Sequence, residues 1–192
     1  IQNTTFRKCA VAPYQNEKQG GAFEYLPNEG DTKNEAIIIE NSTFSNNSAS
    51  YTSCIYLEPR SIPIFSRIII EDHYSENFTF VIIFPVNLQR EVIFANCTFR
   101  RNYYSKQTEQ NCGGAGIWVA PQNVTSKSSW PLTFQGCLFE GNGCKYNGGA
   151  FSYGFGDTLR YIYINMTECR FIDNYCEGAR GGALYFNPSA PI

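Results

Sequence analysis

The chain has 192 residues, one domain's length and enough to bury a continuous core. Aromatic residues make up 16% of it and charged residues only 17%, with a formal charge of −2 and dispersed Lys and Arg, which argues against a nucleic-acid footprint. Its longest apolar run, Phe80 to Pro85, is far too short to span a bilayer.

In chain order, one pattern recurs. It opens as Phe6-Arg7-Lys8-Cys9, then Gly20-Gly21-Ala22, leading into the strand-like Ala22-Phe23-Glu24-Tyr25-Leu26. The second copy is preceded by the apolar run Ala36-Ile37-Ile38-Ile39 and reads Phe44-Ser45-Asn46-Asn47, then the degenerate Ser53-Cys54-Ile55. From Phe44 to the next motif Phe, Phe99, the spacing grows to 55 residues, through Arg67-Ile68-Ile69-Ile70, Asn77-Phe78-Thr79-Phe80 and Val81-Ile82-Ile83-Phe84, which reads as an extra, degenerate coil. His73, the only histidine, reads as a surface ring in a polar loop here, since metal sites need clusters this chain lacks.

The third copy follows Val92-Ile93-Phe94 as Phe99-Arg100-Arg101-Asn102 and Gly113-Gly114-Ala115, with polar loops expected at Tyr103 to Asn111 and Asn123 to Trp130. The last two are near-copies. Phe139-Glu140-Gly141-Asn142 leads through Cys144 to Gly148-Gly149-Ala150, and Phe171-Ile172-Asp173-Asn174 leads through Cys176 to Gly181-Gly182-Ala183, with Tyr161-Ile162-Tyr163-Ile164 between them. Phe139 and Phe171 are 32 residues apart and Gly149 and Gly182 are 33 apart, a period that signals stacked repeats.

Each copy offers three short strands: the apolar run, the segment around Phe-x-x-Asn, and the segment after Gly-Gly-Ala. No stretch sustains a capped 3.6-residue period, so the expected fold is all-β with almost no helix. Three strands per turn, stacking on the next turn, make a parallel β-helix of about five to six coils. The whole chain, 1–192, is then one domain, with repeats at about 1–38, 39–93 (including the extra coil), 94–133, 134–163 and 164–192.

Strand alternation puts Phe6, Phe44, Phe99, Phe139 and Phe171 inside, with Thr4, Ser42, Cys97, Cys137 and Cys169 two residues before them. The Asn three residues after Phe is expected at the turn, in left-handed backbone, bonding to its own turn or to the Asn of the next coil. The Gly pair supplies a corner free of Cβ.

Paired Phe-x-x-Asn and Gly-Gly-Ala tetrapeptides of this kind resemble the repeats of the polymorphic outer membrane proteins of chlamydiae and of other large surface proteins, including those of protists. The likeness covers most of the chain. It departs at Cys9, which replaces Asn, at Ser53-Cys54, which replaces Gly-Ala, and at the residue after Ala, which varies among Phe23, Gly116, Phe151 and Leu184. The resemblance implies a right-handed parallel β-helix with a surface or adhesive role and no catalytic residue.

Seven Asn-x-Ser/Thr sequons occur, at Asn3, Asn41, Asn46, Asn77, Asn96, Asn123 and Asn165. Asn3, Asn41 and Asn96 each stand three residues before the repeat Phe, on the expected outer face, where glycans would form a stripe. Eight cysteines, an even number, point with the sequons to an oxidising, extracellular compartment. Cys144 and Cys176 each lie two residues past the repeat Asn, at one place on adjacent coils, and are disulfide candidates. Cys97, Cys137 and Cys169 line up inside, where two of the three could pair or all could be buried thiols.

There is no initiator Met and no basic-then-apolar leader after Ile1, so the chain reads as processed or as a piece of something longer. Written tail to head, Ala190-Pro191-Ile192 then Ile1-Gln2-Asn3 matches Ala36-Ile37-Ile38-Ile39-Glu40-Asn41. Neither end shows a charged or helical cap. The expectation is a repeating unit that binds itself head to tail through coil edges near Ile1 and Ile192, forming a glycosylated extracellular fibre that rises roughly 25 to 30 Å per unit. The alternative is an adhesin-like ectodomain of a larger cell-surface protein, with host or matrix glycans as partners. Pectin-degrading β-helices need clustered carboxylates, whereas Asp31, Asp72, Asp157 and Asp173 are scattered. No catalytic residue, metal or cofactor beyond covalent glycans is expected.

Overall fold

The structure, a computed structural model, describes residues 1–11, 21–25, 37–49, 52–57, 63–75, 78–84, 91–105, 115–121, 130–145, 148–153, 162–178 and 180–186. Asn77, Asn123, Cys112, Gly20, the Gly113-Gly114 pair and the Ser189 to Ile192 tail lie outside them. Among the described residues there is no helix, hence none long and apolar enough to cross a membrane.

The described residues form a parallel β-helix of six rungs. The first holds β1 (Thr5–Arg7), β2 (Ala10–Val11) and β3 (Phe23–Tyr25). The second holds β4 (Ile37–Glu40), β5 (Thr43–Ser45), β6 (Ser48–Ala49) and β7 (Thr52–Leu57). The third holds β8 (Pro63–Ser66), β9 (Ile69–Glu71), β10 (Tyr74–Ser75) and β11 (Phe78–Phe84), so the stretch between Phe44 and Phe99 is a full rung. Next come β12 (Val92–Ala95), β13 (Thr98–Arg100), β14 (Tyr103–Tyr104) and β15 (Ile117–Pro121) in the fourth, and β16 (Trp130–Gln135), β17 (Leu138–Glu140), β18 (Gly143–Cys144) and β19 (Phe151–Tyr153) in the fifth. The sixth comprises β20 (Ile162–Thr167), β21 (Arg170–Ile172), β22 (Tyr175–Cys176) and β23 (Leu184–Phe186).

These strands form four parallel sheets, three of six strands and one of five. A rung therefore has four sides where three were expected. The Phe-x-x-Asn segment does not run on as one strand. It bends after the residue that follows Phe, and a two-residue strand such as β14 begins after the Asn. Tyr103 and Tyr104 thus belong to a sheet, not to the polar loop read from composition, and Tyr104 is buried.

Each rung makes its two bends with left-handed residues, three before and two after the motif position. The first set is Asn3, Asn41, Arg67, Asn96, Gly136 and Glu168; the second is Lys8, Asn46, Asp72, Arg101, Gly141 and Asp173, all with φ between 47° and 61°. The strain is tolerated because the bend amides stay in the ladder. Asn41 N–H donates to Ser66 O at 3.0 Å, Asn96 N–H to Gln135 O at 2.8 Å and Arg101 N–H to Glu140 O at 2.9 Å. Asn47, Asn102, Asn142 and Asn174 do not have positive φ, so the left-handed turn expected at the repeat Asn sits one residue earlier.

Two aromatic columns fill the interior. Phe6 stacks on Phe44 at 4.8 Å, Phe99 on Phe139 at 4.9 Å and Phe139 on Phe171 at 4.9 Å, with Ile70 filling the third rung. The second column runs Phe65, Phe94 and Phe134, at 4.6 and 4.9 Å. The columns meet edge to face at Phe94–Phe99 and Phe134–Phe139, the geometry that ring quadrupoles favour.

The paired glycines divide two tasks. Gly148 and Gly181 have φ of 67° and 64°, which suits a residue without Cβ. At Gly149 a Cβ would strike the backbone oxygens of Gly182, Tyr175 and Asn142, so this glycine lets the corner close on its neighbours.

Candidate functional site

The sequon residues Asn3, Asn41 and Asn96 lie exposed on one corner, at the bend that leads into the motif strand. Each sequon Thr (Thr5, Thr43, Thr98) occupies the outward strand position two residues on, while the residue between them points inward. The same backbone rules favour Asn in a left-handed bend and Thr on an outward strand site, so this corner writes the sequon almost by default. In the other rungs the position is held by Arg67, Gly136 and Glu168. Arg67 Nε donates to Asn41 Oδ1 at 2.5 Å. Asn46 is exposed at the other bend, and Asn165 is exposed within β20, where its Oδ1 accepts from Thr167 Oγ1 at 3.3 Å.

Inside the second bend runs a hydrogen-bonded column. Asn102 Nδ2 donates to Asn142 Oδ1 at 3.0 Å and Asn142 Nδ2 to Asn174 Oδ1 at 2.9 Å. Each amide also caps the rung before it: Asn102 Nδ2 donates to Ile70 O, Asn142 Nδ2 to Phe99 O and Asn174 Nδ2 to Phe139 O, at 3.1, 2.9 and 2.9 Å. The Oδ1 atoms in turn accept backbone N–H groups, from Asn102 N at 3.2 Å and from Asn142 N at 3.0 Å.

His73 takes the Asn place in the third rung. It is 1% exposed, which overturns the reading of a surface ring. Its Nε2 lies 3.2 Å from Phe44 O, an acceptor only, so Nε2 carries the proton. Nδ1 is then the acceptor for Asn47 N–H at 3.1 Å. The imidazole thus reproduces one donor and the acceptor of an Asn amide, in the same directions. Burial pushes its pKa below the ordinary 6.5, against the opposing pull of the Asn47 and Phe44 backbone and of Asp72 and Glu71. In the first rung Cys9 takes the place, its N–H donating to Asn47 Oδ1 at 2.8 Å.

The inner cysteines are thiols. Cys97 donates to Ala95 O at 3.3 Å, Cys137 to Phe94 O at 3.4 Å, and Cys169 to Phe134 O and Thr167 O at 3.5 Å. Burial raises the pKa of Cys97 and Cys169, keeping them from reactive thiolate. The hydrogen bond with Cys97 instead lowers the pKa of Cys137, and all three sit as small interior residues, each with its S–H donor satisfied by a backbone carbonyl. Cys144 and Cys176 are register partners on β18 and β22, packed beside Tyr104 and Ala115.

On the outer face, Arg100 Nε binds Glu71 at 2.6 Å and Arg101 Nε binds Asp72 at 2.6 Å, joining the third and fourth rungs. The Arg101 guanidinium holds the Asp72 carboxyl below its ordinary value of 3.8. Among the described residues no group of His, Cys, Asp and Glu could hold a metal ion. Compared with known proteins, the chain matches no family model, no curated protein and no solved structure.

Proposed function

We propose that the chain is a structural unit of an extracellular, N-glycosylated fibre, in which β-helical units stack head to tail and the inner columns of one continue into the next. The observation that carries this reading is the pair of outermost rungs. Phe6 and Phe171 each stack on one neighbour and are only partly buried, whereas Phe44, Phe99 and Phe139 are fully covered. Met166, Cys169 and Leu184 are likewise half-covered beside Phe171. A further rung laid on either side, from another copy or from the same polypeptide, would bury them.

The likeness of the paired tetrapeptides to surface-protein repeats agrees with this setting, as do the exposed sequons. Glycans at Asn3, Asn41 and Asn96 would run along one corner without touching the stacking faces. In an oxidising compartment Cys144 and Cys176, on strands about 4.8 Å apart, fall within disulfide reach. The reading assigns no catalytic residue and no cofactor apart from glycans.

Electron microscopy of the native material tests it. Filaments with an axial repeat of roughly 29 Å, six rungs of about 4.8 Å, are expected. Discrete particles in which further rungs come from the same polypeptide would instead favour an adhesin-like ectodomain with glycan partners.

A further inference from the structure

Directly after the inward His or Asn of the third to sixth rungs, the outward position forms a stripe: Tyr74, Tyr103, Gly143 and Tyr175 in successive rungs. Tyr74 is 59% exposed and Tyr175 45%. The Tyr74 and Tyr103 rings stack at 5.8 Å, tilted by 19°. Tyr175 leans over the fifth rung towards Tyr103, at 6.4 Å, and can do so because Gly143 has no Cβ to meet its ring. Tyr103 Oη donates to Glu177 Oε1 at 2.9 Å, and burial together with that carboxylate pushes its pKa up to about 12.

The ring faces are turned to each other, so the stripe offers little flat surface for a sugar. It offers edges, hydroxyls and a built-in proton acceptor, which suit one-electron oxidation. We propose that Tyr74 and Tyr103 are the site of an oxidative cross-link, a carbon–carbon dityrosine bond that pins the third rung to the fourth, with Glu177 taking the Tyr103 proton. This does not rest on head-to-tail stacking.

The chemistry balances with a peroxidase-class oxidant and hydrogen peroxide. Each ring gives up one electron, and each phenol loses its proton, Tyr103 to Glu177 and Tyr74 to water. The two phenoxyl radicals, with spin on the carbons beside the oxygen, join through one new Cε–Cε bond. The hydrogens on those two carbons then move to the oxygens and restore both phenols. The net loss is two electrons and two protons, which reduce one hydrogen peroxide to two waters. Register partners on strands about 4.8 Å apart meet far more often than rings on separate chains.

The test treats the dilute, folded chain with peroxidase and hydrogen peroxide and maps the peptides. The expected product is a monomer lighter by two hydrogen atoms, with the Tyr74 and Tyr103 peptides linked and blue dityrosine fluorescence. Tyr74→Phe and Tyr103→Phe each abolish that peptide, Tyr185→Phe leaves it, and Glu177→Gln slows its formation severalfold and shifts the pH profile of the rate. With 13 tyrosines in the chain, the linked peptide and not total fluorescence is decisive. A folded chain that yields no linked Tyr74–Tyr103 peptide, or cross-links found only between chains, would overturn the proposal.

Discussion

The third and fifth rungs adopt the same path with different residues. In the fifth the inward positions are Cys137, Phe139 and Asn142, and the bends are glycines, Gly136 and Gly141; in the third they are Ile68, Ile70 and His73, bent at Arg67 and Asp72. All six inward residues are buried, and the four bends have φ between 51° and 61°. A rung is thus defined by what each position must do: fill a column, turn left-handed, or supply one donor and one acceptor. Identity is free wherever another residue meets that demand.

The largest expected break is Phe139→Ala, which opens a hole between Phe99, Phe171 and Phe134 and should cost about 4 kcal/mol in denaturant unfolding. Next is Asn142→Ala. It strands Asn102 N–H and Phe99 O, so a loss of about 3 kcal/mol is expected, while Asn142→His should recover more than half by imitating the third rung.

Acid should separate the two rungs. The folded pKa of His73 lies below its ordinary 6.5, so the unfolded chain binds the extra proton first as pH falls. Stability is therefore full above 6.5 and declines between that value and the lowered folded one. A second proton on Nδ1 could turn to Asn47 O, 3.1 Å away, but would leave Asn47 N–H without its acceptor and bury a charge. His73→Asn should remove this decline; a decline that persists in the variant would place its origin elsewhere. Loss of the Asp72 ion pair belongs to a separate, lower window, beneath 3.8. The smallest effect is a gain. Ser53 occupies the place of the second corner glycine, and its buried Oγ has no hydrogen-bond partner, so Ser53→Ala should stabilise the chain by about 1 kcal/mol.

Much of this was legible in the sequence. The Phe column, the small residues before it, the close-packed glycines and the parallel β-helix follow from spacing and alternation alone. The fourth side was not, because strands of two residues such as β18 leave no apolar run to detect. His73 escaped because the motif was read by residue type; the spacing from Ile70 to His73 equals that from Phe139 to Asn142, and this was the available signal. The tyrosine stripe was likewise written one residue after three of the column positions, at Tyr74, Tyr103 and Tyr175.

The claim that function within the column, not identity, specifies a rung is tested most directly by nitrogen NMR of the ring of His73, the chain's only histidine. The expected spectrum is a neutral ring protonated on Nε2, with Nδ1 shifted as an acceptor and a midpoint below 6.5. A ring protonated on Nδ1, or a midpoint at or above 6.5, would mean that His73 does not replace an Asn and that the third rung is held in some other way.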